Sequence, residues 1–185
     1  MFASLFRITQ EPMLPTIASE CSLFLLESQG KPLIKSLPRH ADGFRKVKVR
    51  KKKIKEEFEK SFNDSFFTEF NEIRNRAVFC NGSQPETSEL ERFYVFPIDG
   101  YRFMYSPEVS NSSELYKDTF DKLIRTAGRN NGMEIFTDML QLSYTYEDLP
   151  KAIDLGCEII IYDISHYYAI RASLIDDYSN WFYNN

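Results

Sequence analysis

The sequence predicts an α+β fold: a single compact domain in which a mixed or antiparallel sheet carries a long amphipathic helix, preceded by an irregular N-terminal arm. Three observations lead there. Short β-branched and aromatic runs of strand length recur along the chain, the clearest being Cys157-Glu158-Ile159-Ile160-Ile161-Tyr162. One stretch has helical period instead, with Ile54, Phe58, Phe62, Phe66, Phe70, Ile73 and Ala77 following one another by three or four positions. No repeat, heptad array or low-complexity tract appears, and 185 residues are enough to bury one core.

Residues 1–42 are expected to form the arm and cover, and 43–185 the α+β domain. Pro12 and Pro15 disfavour a long regular element in the first 21 residues. Ser22 to Glu27 is short and apolar, which predicts a buried strand closed by a turn at Gln29-Gly30-Lys31, with Pro32 to Leu37 leading outward. Phe44 to Lys52 alternates: Val47 and Val49 share one face, and Lys46, Lys48, Arg50 and Lys52 the other. The aromatic helix from Ile54 to the Ala77 region then packs its phenylalanines on the sheet, and the polar stretch from Asn81 to Glu91 reads as a surface loop.

Arg92–Ile98 and Tyr101–Ser106 flank Asp99-Gly100, a pair suited to positive φ, so a hairpin is expected there. A second helix should be capped near Ser110 to Ser113 and stop at Gly128. Asn130-Asn131-Gly132 reads as a turn, followed by a shorter helix through Phe136, Met139 and Leu140. One or two helical turns over Glu147 to Leu155 end at Gly156. Cys157–Tyr162 is then a central strand, paired with Tyr167–Ser173 through a turn at Asp163 to His166. A last short helix holds Trp181 and Phe182.

Charge carries the main functional signal. Eleven of the 23 Lys and Arg residues lie between Lys31 and Lys55, where Asp42 is the single acid, so that segment bears +10 and the remainder −14. Such polarity speaks of partners and orientation. On a strand, Lys46, Lys48, Arg50 and Lys52 stand about 6.6 Å apart, close to the phosphate spacing of a nucleic-acid strand. Lys51, Lys53 and Lys55 fall at an expected helix N-terminus, where cations are disfavoured unless an anion lies near. The plain alternative is a solvated edge strand that lysines protect from aggregation. Phe44 is the lone aromatic in the basic segment, which argues against base-specific recognition.

Other constellations are weaker. Cys21, Cys80 and Cys157 are widely spaced and odd in number, as expected of buried, reduced thiols. His40/Asp42 and Asp163/His166 sit at expected turns, with no nucleophile at a diagnostic spacing. Arg171 shares a strand face with Tyr167 and Ala169. Phosphate-loop, dinucleotide, zinc-protease, serine-hydrolase and EF-hand signatures do not occur in the sequence. No cofactor and no metal is therefore expected. The tyrosine clusters read as core or half-exposed sheet positions.

The amino terminus lacks a basic leader with a long apolar run, and no apolar run is long enough to cross a bilayer, so no signal peptide and no membrane association are expected. Abundant Asn, Lys, Ile, Phe and Tyr fit an AT-rich coding source such as a bacteriophage, with the protein in the host cytoplasm or virion.

These readings converge on a non-enzymatic binding or assembly protein. Arg45, Lys46, Lys48, Arg50, Lys51, Lys52, Lys53 and Lys55 would engage nucleic acid or an acidic protein surface, with homo-oligomers or larger assemblies as a further expectation. The alternatives are an enzyme acting on a phosphorylated or nucleic-acid substrate, and a small regulatory inhibitor of a host enzyme.

Overall fold

The computed structural model describes residues 13–38, 42–50, 61, 76–82 and 90–175. Two helices, α1 (Met13–Glu20) and α2 (Ser22–Glu27), precede strands β1 (Leu33–Pro38), β2 (Phe44–Lys48), β3 (Val78–Asn81), β4 (Leu90–Pro97) and β5 (Arg102–Tyr105). Next come α3 (Ser112–Leu115), a π-helical turn (Tyr116–Phe120), α4 (Asp121–Ala127), α5 (Arg129–Ser143) and α6 (Leu149–Leu155). Strands β6 (Glu158–Tyr162) and β7 (His166–Arg171) follow. The strands make one seven-stranded antiparallel sheet in the order β2-β7-β4-β1-β3-β6-β5. Of the expected aromatic helix over 54–77 only Ser61, Arg76 and Ala77 are described, Ala77 being buried just ahead of β3 and outside any helix. The rest of it, and the terminal helix with Trp181 and Phe182, lie outside the described residues.

Both expected hairpins are absent. β4 pairs with β1 and β7, whereas β5 pairs with β6; β6 pairs with β3 and β5, not with β7. The links are nevertheless short. In a flat sheet β4 and β5 would stand four strand spacings apart, about 19 Å, yet the five steps from Pro97 to Arg102 reach at most about 18 Å. From Tyr162 to His166 the four steps reach about 14 Å at most, again across four spacings. The sheet must therefore fold over on itself, with corners at Ile98–Tyr101 and Asp163–Ser165. Strands that switch between two crossing half-sheets produce this geometry.

The inward face collects Leu33, Val78, Cys80, Phe93, Val95, Tyr105, Ile159, Ile161, Tyr167 and Ala169, all buried. Helix layers cover the outer face. Phe120, Phe136 and Leu140 from the π turn and α5 pack on Met104, Ile160 and Tyr162. On the other half, α1 and α2 bring Ile17, Cys21 and Phe24 against Phe96, Tyr168 and Ile170, and the Phe24 and Phe96 rings meet edge to face at 6.0 Å. The three cysteines are free and buried, as expected. Burial pushes the Cys21 thiol up to about 12, and it donates to the Phe96 carbonyl at 3.6 Å.

Several local expectations change for physical reasons. Ser22–Glu27 is a helix, not a strand: its leucines favour helix, and it buries Phe24 while Leu26 stays 75% exposed. Residues 13–20 are helical despite Pro15, which occupies the first turn, where an N–H has no intrahelical partner. Pro32–Leu37 does not lead outward; Leu33–Pro38 runs through the middle of the sheet as β1. Asn130-Asn131-Gly132 is no turn but the start of α5, which begins directly after Gly128.

Asp99 explains why its turn does not close a hairpin. Its carboxylate accepts from Leu23 N at 2.8 Å and Ser22 Oγ at 2.7 Å, so it caps the start of α2 from 76 positions away. Its own N–H donates to the Glu20 carbonyl at 2.7 Å. Gly100 still takes the positive φ of +89° that the sequence implied. Asp99→Ala should cost about 1 kcal/mol, as lost N-caps do; a urea titration showing no change in midpoint would remove the cap from the stability of this corner.

Candidate functional site

The basic strand lies at the margin of the sheet, where β2 pairs with β7 alone among the described residues. Its register decides what it offers. Gly43 O accepts from Arg171 N at 2.8 Å and Val49 N donates to Ser165 O at 2.9 Å. With the two-residue period of an antiparallel ladder, Arg45 and Val47 also turn their backbone groups toward β7. Phe44, Lys46 and Lys48 therefore present theirs to the side where no other described strand pairs.

Side chains alternate as the sequence predicts. Lys46 and Lys48 are exposed and lie opposite Tyr168 and His166, on the outer face; Arg45 and Val47 lie opposite Ala169 and Tyr167, on the inner face. Lys46 Nζ stands 5.3 Å over the Tyr168 ring and 3.8 Å from Glu20 Oε2. Hydrogen bonding to Tyr168 raises its pKa. Arg45 is half-buried, 5.0 Å over the Phe93 ring, and donates to the Pro38 carbonyl at 3.1 Å. Desolvation, then the nearby Arg171, lowers its pKa. Arg171 in turn lies 3.0 Å from Glu91.

A groove of about 710 Å³ runs along this margin. All seven residues from Phe44 to Arg50 line it, so it follows the strand's edge rather than one face. Lys35, Asp42, Ala77, Val78 and Tyr167 complete the described lining, which makes five basic residues against one acid. Lys35 is tethered by a hydrogen bond from its Nζ to the Phe79 carbonyl at 2.7 Å. Of the candidate residues, Arg45, Lys46, Lys48 and Arg50 thus meet around one groove, although Arg45 reaches it from the inner face. Lys51, Lys52, Lys53 and Lys55 lie outside the described residues.

Glu20 and Lys35 were not singled out by the sequence, because both arrive through long-range packing. Glu20 is the hub of the outer face. Tyr168 donates to its Oε2 at 2.7 Å, and His166 Nε2 lies 3.5 Å away. The Tyr168 bond, helped by His166 and Lys46, holds the Glu20 carboxyl below the usual range. A depressed carboxyl contributes stability above its unfolded pKa and loses it as pH falls through the folded one. Melting temperature should therefore drop for the wild type between about pH 5 and pH 3, and less steeply for Glu20→Gln. Superimposable curves would detach Glu20 from this cluster.

The pairing of Asp163 with His166 is not formed. Asp163 Oδ2 lies 3.4 Å from Arg102 Nε, and His166 Nδ1 is 2.9 Å from Ser165 Oγ. His40 lies outside the described residues. Of the sheet tyrosines, Tyr105, Tyr162, Tyr167 and Tyr168 are buried core positions, and Tyr94 on β4 is partly buried. Among the described residues no three His, Cys, Asp or Glu side chains cluster as a metal site would need, and no helix is long and apolar enough to cross a membrane. No protein-family model, curated protein or solved structure matches this chain.

Proposed function

We propose that this chain is a binding or assembly protein, not an enzyme, and that the β2 margin engages a polyanionic partner, either nucleic acid or an acidic protein surface. The observation that supports this is the groove beside β2, in which Lys35, Arg45, Lys46, Lys48 and Arg50 face one carboxylate. Such an excess of one sign in a concave site concentrates field and draws the opposite charge. Glu20 screens Lys46 in part, while Lys48 and Arg50 remain exposed.

The test replaces Lys46, Lys48 and Arg50 by Gln and measures binding to random DNA, random RNA and polyglutamate across salt concentrations. A nucleic-acid partner predicts a loss of affinity independent of sequence, with the slope of log affinity against log salt flattened by about 3 units. An acidic protein partner predicts binding to polyglutamate and loss of it in the variant. Wild-type protein that binds none of the three, or a variant that binds as the wild type does, would leave β2 as a solvated edge and end this reading.

A further inference from the structure

We infer that β2 takes its partner by strand addition: an extended protein segment with acidic side chains at alternate positions, opposite Lys46 and Lys48. This rests on the reading of the margin as an anion-binding site and narrows it to one class of partner and one mode of contact.

Charge alone would serve a nucleic acid, but the margin offers more than charge. The backbone N–H and C=O groups of Phe44, Lys46 and Lys48 point away from β7 in the spacing that another strand requires. A strand laid there would form hydrogen-bonded pairs with these three residues, its paired side chains on their face and about 5.5 Å away between Cα atoms. Carboxylates at alternate positions would then meet Lys46 and Lys48. The intervening side chains would point to the other face, where Val47, Val49, Ala77 and Val78 line the groove. The segment that fits thus alternates acidic with apolar residues. A second copy of β2 fits badly, because edge-to-edge pairing would set lysines against lysines.

The probe is a capped heptapeptide that alternates glutamate with valine. Two controls accompany it: one of the same composition with its glutamates grouped, and one N-methylated at the glutamates, which removes the N–H groups aimed at β2. The protein is used as wild type, Lys48→Gln and Lys48→Pro. Both variants lose the charge, but proline also deletes the outward N–H while leaving the ladder to β7 intact. The alternating peptide should bind at least tenfold more tightly than either control, the size of one hydrogen bond or more. Lys48→Pro should bind it about tenfold less tightly than Lys48→Gln. If Lys48→Pro does not fold, the peptide comparison decides alone. Equal binding of all three peptides overturns strand addition while leaving the anion-binding reading in place, as does binding of random DNA or RNA with no measurable affinity for any peptide. Protein that binds neither nucleic acid nor peptide overturns both.

Discussion

Phe136→Ala should lower stability by about 3–5 kcal/mol, the usual cost of truncating a fully buried phenylalanine. Phe136 is 0% exposed, and its ring meets Phe120 edge to face at 5.0 Å between centroids. The cavity would open between α5 and β6, where Leu140 and Ile160 are also fully buried. At about 2–4 °C per kcal/mol for a chain of this size, the melting temperature should fall by roughly 6–20 °C. A variant that melts with the wild type would mean that α5 does not pack on the sheet.

Gly82→Ala is expected to cost about 3 kcal/mol, the upper part of the range for overpacking. A Cβ there would lie 1.7 Å from the Ile153 carbonyl oxygen and 2.7 Å from its carbon. These are backbone atoms of α6, so no side-chain rotation relieves the clash. The helix itself must move, and with it the buried Leu149, Ala152 and Ile153. Equilibrium unfolding in urea measures the loss. A neutral result would show that α6 does not press on the end of β3.

The contrast between what the sequence displayed and what it concealed follows from the range of the interactions. Alternation in β2 was legible because side chains on successive residues must point to opposite faces. The α6 ending at Gly156, and the helix stop at Gly128, were legible because their chemistry is local. Asp99-Gly100 carries a turn signal just as strong, and the chain does turn there with Gly100 at positive φ. Whether that turn joins partners or a corner depends on where β1 and β7 dock, which no short window contains. Much the same holds at the site. The lysine strip was visible as composition, but the position of Arg45 over Phe93, the approach of Glu20 to Tyr168 and the arrival of Lys35 at the groove all need the folded sheet. Apolar run length misled at Ser22–Glu27, where six residues suit a strand or a short helix equally. A capping carboxylate from residue 99 settles the matter in favour of helix.

The two corners have a consequence for how the protein is made. Within the described residues no two strands joined by a tight turn pair with each other, so every ladder must wait for a distant stretch of chain. The wait is longest for β2, because Lys48 finds its partner in His166, 118 positions later. At about 5–20 residues per second a ribosome needs roughly 6–24 s to supply that stretch. Throughout that interval the nascent chain displays an unpaired strand rich in lysine. Mutual repulsion among lysines on neighbouring nascent chains would then keep such strands apart before β7 exists, which gives the basic composition a use during synthesis. Slow, non-local closure of this kind also places the protein among late folders for its size.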